Sequence, residues 1–199
     1  MAPDAAIVAN ARYCAPQQKR APRELDRAAE PEFGATTVRE VLPEEIAPLL
    51  ALAETLIGGE LASEGVIRRV VAWRPDSLWT FLRDGRVVGG LAMLMLNAQG
   101  RNALLAARMD TRDPPMELVA RAEENPAAIY LWALAHLSAS DGVLKMLVRL
   151  QSPPYNRANL YAVPYTMSGS RFQQRWGFRP VPGHPRQLAQ YIRLANRPH

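Results

Sequence analysis

A strand-to-helix turn in the second half of the chain has the residue types that bind anions through backbone groups. The stretch LAHLSASDGVL, residues 134–144, begins as an apolar strand end, continues through small residues and leads into a helix. The first turn of a helix leaves N–H groups without intrahelical partners and carries the positive end of the helix dipole, so it suits a diphosphate. Gly142 allows close approach of the backbone, and basic side chains follow one and two turns later. The alternative is an ordinary turn in which Ser140 or Asp141 caps the helix.

A second stretch, YTMSGSRFQQRWGF (residues 165–178), has the spacing of a short helix that borders a ligand. Thr166 offers a hydroxyl donor, Gly169 leaves room beside it, and Phe172 and Phe178 anchor the helix in the core. A capped helix with two apolar anchors explains these residue types equally well. A capped helix does not explain why a strand, a loop and a helix over residues 134–144 are followed by a second strand and helix with the spacing of residues 165–178.

The charge distribution favours an anionic ligand for the last third of the chain. Residues 142–199 contain nine Lys and Arg and no Asp or Glu, although the whole chain has 24 basic and 19 acidic residues. Such a segment predicts nucleic acid, a phosphorylated cofactor or an acidic partner face. A general bias toward Arg in the proteome is the alternative. Any catalytic carboxylate must precede residue 142.

Length and composition predict one globular domain with a core. The chain has 199 residues, 48% of them hydrophobic, and charges interrupt every apolar run before it reaches the length of a membrane span. The N-terminal segment lacks the pattern of a secretory signal, so we expect a cytoplasmic protein that does not contact a membrane. Cys14 is the only cysteine, and the three histidines lack metal-ligand spacing, so we predict no metal site.

Hydrophobic periodicity divides the chain into a mobile arm (residues 1–35), a mixed domain (36–183) and a C-terminal helical tail (184–199). The order of strands and helices in the domain predicts an α/β (α+β) fold, with a mixed, mostly antiparallel central sheet of about six strands and helices on both faces. Asp84-Gly85 between apolar runs predicts a hairpin. The predicted strands cover residues 36–41, 79–81, 87–96, 128–135, 159–166 and 178–183; the predicted helices cover 42–57, 60–73, 114–126, 140–150, 168–177 and 186–196.

This succession resembles the GCN5-related N-acetyltransferase (GNAT) superfamily over residues 36–183. The family's acyl-CoA-binding motif, V-x-P-x-x-(Q/R)-x-x-G-x-(G/A), falls in a degenerate form on residues 134–144, where Gly142 keeps the first glycine but Ala139 replaces Gln or Arg and Leu144 replaces the second small residue. The pattern N-x-x-A-x-x-(L/F)-Y-x-x-x-G-F matches better in spacing, from Thr166 to Gly177-Phe178. Gln173 occupies the position of the family's tyrosine.

The resemblance implies acetyl-CoA or another acyl-CoA as the cofactor, with its pantetheine arm between the fourth and fifth strands. A backbone N–H near Leu134 or Ala135 would be the oxyanion donor, and the diphosphate would lie against residues 139–143. The residues implied in cofactor binding are Leu134, Ala135, Ala139, Ser140, Gly142, Val143, Thr166, Gly169 and Phe172.

Acyl transfer to an amine also needs a base and a proton donor. His136, at the end of the fourth strand, is the only histidine near the expected cleft and has a suitable ordinary pKa. Glu60 and Glu64 are rival bases, because their segment borders the acceptor site in relatives. Tyr165 and Tyr130 are the candidate proton donors, since Gln173 cannot serve.

Three functions are compatible with these features. The first is an acyl-CoA-dependent N-acyltransferase that acetylates an amine of a small molecule or protein. The second is a catalytically inactive GNAT-like binding protein, which the degenerate motif and the missing tyrosine favour. The third is a tRNA-directed acetyltransferase, suggested by the basic last third; simple RNA binding is disfavoured because the aromatic residues occupy core-like positions. A homodimer in which the arm docks on a second copy is a further option.

Overall fold

The Asp84-Gly85 pair forms the predicted hairpin turn near the centre of the sheet. In the computed structural model, which describes residues 35–58, 61–137 and 139–193, these two residues have φ values of 51° and 73°. Two positive φ values in succession are typical of two-residue hairpins. The turn joins strands β2 (Leu78–Arg83) and β3 (Arg86–Leu96) in antiparallel register. The predicted arm, up to residue 34, lies outside the described residues.

In the described part of the chain, seven strands form one sheet with the order β1-β2-β3-β4-β5-β7-β6. Neighbouring strands are antiparallel except β4 and β5, which confirms the predicted mostly antiparallel α/β class. No helix among the described residues has the length and apolar character needed to cross a membrane. The other elements are β1 (Thr37–Glu40), β4 (Ala128–His136), β5 (Asn159–Ala162), β6 (Arg179–Pro180), β7 (Ala189–Tyr191), α1 (Ile46–Ile57), α2 (Glu64–Trp73), α3 (Ala98–Leu105), α4 (Ser140–Arg149) and α5 (Met167–Arg175).

Alternating residues of β3 face two separate helix layers. Met93 and Met95 belong to a core cluster that includes residues of α4, whereas Leu94 and Leu96 belong to a second cluster with residues of α2 and α3. Side chains alternate across a strand, so β3 supplies both clusters. All four side chains are fully buried, and each contributes about 1.5–3 kcal/mol by leaving water. Helices therefore cover both faces of the sheet, as predicted.

Strands β4 and β5 separate after a short stretch of pairing. Their parallel register ends at Leu131 and Ala162. In β4 the next residue, Trp132, is skipped in the register with β3 and forms a bulge. In β5 the pairing is followed by Pro164, which has no N–H to donate. The bulge and the proline end the ladder at the same level, and the two strands diverge beyond it.

The segment between β3 and β4 differs from the sequence prediction. The helix expected over residues 114–126 is wrong, because only a single 3-10 turn forms there, and a helix that was not predicted, α3, precedes it. Asn97 caps α3 by accepting the Gly100 N–H at 2.9 Å. Ala120 then donates its N–H to the Met95 carbonyl at 2.7 Å. An extended chain at this position supplies a donor to the end of β3, which an internally bonded helix could not do.

The C-terminal segment also differs, because the described part of the predicted helical tail contains a strand. Strand β7 pairs with both β5 and β6. Leu188 is fully buried just before it. The open edge of β5 needs hydrogen-bond partners, and this non-local requirement outweighs the local helical pattern. Residues 194–199 of the tail lie outside the described part of the chain.

Arg193 anchors the chain after β7. The residue is only 3% exposed, and its guanidinium donates to the carbonyl oxygens of Leu150 at 2.6 Å and Ala158 at 3.1 Å. A third bond reaches Gln151 Oε1 at 2.9 Å. These bonds tie the last strand to the C-terminal end of α4 and satisfy carbonyl groups that the helix leaves open.

Candidate active site

The diverging ends of β4 and β5 enclose a cleft of about 180 Å³. Leu137 donates its N–H to the Val88 carbonyl on β3 at 2.7 Å. Backbone groups of successive strand residues point to opposite sides, so Leu134 and His136 direct their N–H and C=O groups away from β3. Strand β5 pairs with β4 only as far as Leu131 and does not reach these groups. The cleft therefore has backbone donors and acceptors along one wall.

His136 lies at the end of this wall and is solvent-exposed. Surrounding protein atoms desolvate the imidazole and lower its pKa, so the ring is uncharged near neutral pH. The Ala139 N–H donates to Nδ1 at 3.4 Å, which places the proton of the neutral ring on Nε2. In this tautomer Nε2 donates a hydrogen bond. A role for His136 as a general base stays a prediction, and this contact favours a donor role instead.

The residues assigned to cofactor binding from the sequence separate into three groups. Those that line the cleft are Leu134, Thr166, Gly169 and Phe172, together with His136. Ala135 lines an adjoining cavity, and its N–H points toward β3, so of the two predicted oxyanion donors only Leu134 directs its N–H away from β3. The assigned residues that line neither space are Ala139, Ser140, Gly142 and Val143.

Close helix packing accounts for Gly142. A Cβ added to this residue would lie 3.0 Å from Thr36 Cγ2 and 3.1 Å from Phe81 Cγ. These contacts are tighter than normal, so glycine lets α4 approach the sheet here. Val143, the next residue, belongs to the core cluster beneath α4. The predicted role of Gly142 toward a phosphate remains a prediction, and packing is a sufficient cause for the residue.

The Asp141 carboxylate points toward the β1 edge of the sheet. Oδ2 accepts the Thr36 N–H at 2.9 Å, Oδ1 accepts the Thr36 hydroxyl at 2.7 Å, and the Arg83 guanidinium lies 3.6 Å away. Its hydrogen bond with the Thr36 side chain is the main cause that lowers the pKa of Asp141. Strands β2 and β3 separate β1 from β4 in the sheet. The carboxylate is therefore balanced by its own partners and does not line the cleft.

Helix α5 begins on the other wall of the cleft. Thr166 is its N-cap and accepts the Gly169 N–H at 3.0 Å through Oγ1. A Cβ on Gly169 would approach that oxygen to 3.2 Å, so the glycine fits the cap. Phe172 lines the cleft and contacts Trp176, with ring centroids 5.7 Å apart. Capping and anchoring thus explain this motif locally, while the same residues also face the cleft.

An apolar cavity adjoins the cleft under helix α1. It measures about 60 Å³ and extends to Leu49 and Gly90. Leu61, Trp132 and Tyr165 line both this cavity and the cleft. Trp132, the bulge residue of β4, therefore borders both spaces.

A third cavity, of about 250 Å³, lies beyond Tyr165. Tyr165 lines all three spaces and is 61% exposed. Tyr130, by contrast, is 1% exposed. Burial, aided by the neighbouring Tyr165 hydroxyl, raises the pKa of Tyr130, which remains protonated at neutral pH. Of the two predicted proton donors, Tyr165 is the more accessible.

The described residues supply few proton acceptors around these spaces. None of the residues lining the three cavities is Asp or Glu. Glu64 pairs with Arg68 at 2.6 Å along the exposed side of α2, and Glu60 lies outside the described residues. Among the described residues, no group of His, Cys, Asp and Glu side chains could hold a metal ion.

Sequence reasoning missed most of the cavity walls. Thr111 and Arg112 come from the segment between β3 and β4, and His184 and Arg186 come from the loop before β7. No local pattern marks these residues, because only the tertiary fold brings their segments together. The basic character of the last third was the one available signal, and it included Arg186.

No family model matches the sequence, and no curated protein matches it either. Solved structures share its fold. The loading GNATL domain of CurA from Lyngbya majuscula matches with a TM-score of 0.59 and 20% identity, over 80% of this chain and 98% of that domain. GphF, a GNAT-like decarboxylase in complex with isobutyryl-CoA, matches with a TM-score of 0.53 and 17% identity, over 78% and 98%. Ard1 from Thermoplasma volcanium matches with a TM-score of 0.52 and 15% identity, over 81% and 99%. The chain has the GNAT fold, which confirms the resemblance seen in the sequence.

Proposed function

We propose that the protein binds an acyl-CoA in the β4–β5 cleft and transfers its acyl group, in the simplest case acetyl, to an amine of a small molecule or a protein. The observation that carries the proposal is the divergence of β4 and β5, which leaves the backbone groups of Leu134 and His136 facing an open cleft. Proteins of this fold support it, since GphF is in complex with isobutyryl-CoA.

The cleft fits the pantetheine arm of coenzyme A. That arm is extended and carries amide groups, so it can pair with a strand edge as an added strand would. The Leu134 C=O and the backbone groups of His136 would bond its amides, which leaves the Leu134 N–H for the acyl group, and Phe172 would contact its methylene groups. The acid-free last third of the chain complements the phosphates, and the Asp141 carboxylate is held by Thr36 on the side away from the cleft.

An acyl-CoA supplies an activated thioester carbonyl when bound. The Leu134 N–H is the candidate donor to the carbonyl oxygen as it gains negative charge. Tyr165 is the candidate proton donor for the departing sulfur, since this exposed residue lines the cleft and both adjoining cavities. His136 and Glu60 remain the candidate bases for the amine, and the pH dependence of turnover in His136→Gln and Glu60→Gln distinguishes them.

Isothermal titration of acetyl-CoA into the full chain tests the binding step. Ser168 lines the cleft and is exposed, so Ser168→Trp should fill the cleft at little cost to folding and weaken binding at least tenfold. Met167, 73% exposed, is not among the cleft-lining residues, so Met167→Trp is the matched control and should bind as the wild type does. Absence of acetyl-CoA binding to the wild-type chain refutes the proposal.

An amine panel with thiol detection of released CoA tests the transfer step. Turnover that falls in Ser168→Trp and persists in Met167→Trp supports the transferase. Binding without turnover on any amine supports the inactive binding protein instead. Salt-dependent retention on bulk tRNA, together with acetylation of charged tRNA, would support the tRNA-directed function.

A second candidate function is decarboxylation of a carboxyacyl-CoA. The specific observation is that the described residues lining the three cavities include no Asp or Glu, so a substrate carboxylate meets no like charge from them. The fold is shared with the decarboxylase GphF. With malonyl-CoA, the reaction would break the bond to the carboxylate, release CO2 and add a proton to the remaining carbon. Mass spectrometry of acetyl-CoA formation tests this, and unreacted malonyl-CoA contradicts it.

A further inference from the structure

The third cavity carries polar side chains on an otherwise apolar surface. Its polar lining residues are Thr111, Tyr130, Tyr165, His184 and Arg186. The remaining lining residues are apolar. Its volume of about 250 Å³ has room for a small organic group, since one water occupies about 30 Å³ in the liquid.

The cationic wall of this cavity is held in a defined position. His184 Nε2 lies 3.0 Å from the Leu104 carbonyl, which can only accept, so Nε2 donates there. His184 Nδ1 accepts the Arg186 backbone N–H at 3.3 Å. Arg186 also donates from Nη1 to the Met109 carbonyl at 3.3 Å, and Met109 is a lining residue. The last of these bonds holds the guanidinium of Arg186, an exposed residue, beside the cavity, and its other donors are available to a ligand.

The same cavity is lined by hydroxyl groups. Tyr130 is almost fully buried and Thr111 is 7% exposed. Their hydroxyls lie close enough to interact, and Arg186 acts on the Tyr130 hydroxyl through its charge. Burial and the hydrogen bond with Tyr165 keep Tyr130 protonated, so a bound anion could accept from the Tyr130 hydroxyl in place of Tyr165. A guanidinium and neutral hydroxyls in one cavity, with no acidic side chain among its described lining residues, make a favourable site for a carboxylate.

We infer that this cavity, bounded by Arg186, Tyr130 and Thr111, binds a carboxylate of the substrate and thereby selects a carboxylate-bearing acyl group or acceptor. The inference rests on the proposed function, because Tyr165 connects the cavity to the acyl-CoA cleft. The carboxylate comes from one of two sources: the end of the acyl chain, as in succinyl-CoA, or the acceptor, as in an amino acid.

Titration of matched ligands into the full chain distinguishes the sources. For the acyl source, succinyl-CoA should bind about tenfold or more tightly than butyryl-CoA. For the acceptor source, acetyl transfer to β-alanine should exceed transfer to β-alaninamide by a similar factor in kcat/KM. In either case Arg186→Gln should abolish the preference. Arg175→Gln removes the same charge at the end of α5, outside the three cavities, and should retain the preference.

Binding of unacylated CoA shows whether the acyl-CoA cleft works independently of the carboxylate site, so it distinguishes failure of this inference from failure of the proposed function. Equal binding of CoA to the wild type and to Arg186→Gln, with no preference in either ligand pair, overturns the carboxylate site and leaves acyl-CoA binding in place. If CoA does not bind, the carboxylate site is tested by NMR with small carboxylates alone. Butyrate, but not butyramide, should then shift the His184 imidazole signals in NMR, and Arg186→Gln should remove the shift; absence of a shift overturns the inference.

Discussion

The contact between Gly89 and the end of β4 gives the sharpest test of how the cleft is built. Gly89 lies opposite His136 in the β3–β4 ladder. A Cβ added to Gly89 would lie 2.6 Å from the Ala135 carbonyl oxygen and 2.7 Å from His136 Cβ. Two backbone strands cannot give way as a flexible side chain can, so Gly89→Ala should displace the end of β4. Overpacking of this kind costs about 1–3 kcal/mol in the free energy of unfolding.

Gly65→Ala is the matched control, because it makes the same chemical change in open space. Gly65 lies in helix α2, and the nearest atom to an added Cβ is Ser63 Oγ at 4.0 Å. Gly65 lies in the first turn of the helix, so its replacement by alanine should raise the free energy of unfolding by at most about 1 kcal/mol. The two variants should therefore differ by about 1–4 kcal/mol, with Gly89→Ala the less stable.

Urea unfolding followed by circular dichroism measures both changes, and titration of acetyl-CoA under native conditions measures the effect on the cleft. Gly89→Ala should lower both stability and affinity, because it moves the residues whose amides face the cleft. Gly65→Ala should leave the affinity unchanged. If Gly89→Ala unfolds at the wild-type urea concentration and binds acetyl-CoA equally well, the account of β4 is wrong.

Three further outcomes follow from the contacts described above. Arg193→Met should lower the free energy of unfolding by about 2–5 kcal/mol, because buried carbonyl groups lose their donor, whereas Arg175→Met at the surface should change it by less than about 0.5 kcal/mol. Asp141→Asn should lower the free energy of unfolding by about 1 kcal/mol at pH 7. Because the folded pKa of Asp141 lies below the ordinary 3.8, the wild type should be more stable than the variant above pH 3.8 and should lose this difference as the pH falls through the folded pKa. Urea unfolding across pH measures the difference. In an NMR titration, the midpoint of His136 should fall below 6.5, and a midpoint above that value would contradict its desolvation.

The parts of the fold that local chemistry specifies could be predicted from the sequence. Asp84-Gly85 has its own turn preference, and the uncharged run of β4 indicates a buried central strand. The strand β7 could not be predicted in the same way. Residues 186–196 have a locally helical pattern, and the outcome depends on the open edge of β5, which is distant in sequence.

The same distinction applies to the candidate site. Thr166, Gly169 and Phe172 line the cleft because the turn after β5 fixes them locally. Gly142 fits a phosphate-binding pattern, yet its surroundings are set by Phe81 of β2, a contact that no local spacing reveals. Arg186 reaches the third cavity only through the loop that precedes β7.

Hydrogen exchange of the β4 amides, measured by NMR with and without saturating acetyl-CoA, tests the central claim most directly. The amides of Leu134 and His136 face the cleft, and those of Ala135 and Leu137 face β3. We predict that acetyl-CoA slows exchange at Leu134 and His136 and leaves the other two unchanged. Unchanged exchange at Leu134 and His136 in the saturated complex would contradict a cofactor paired with β4.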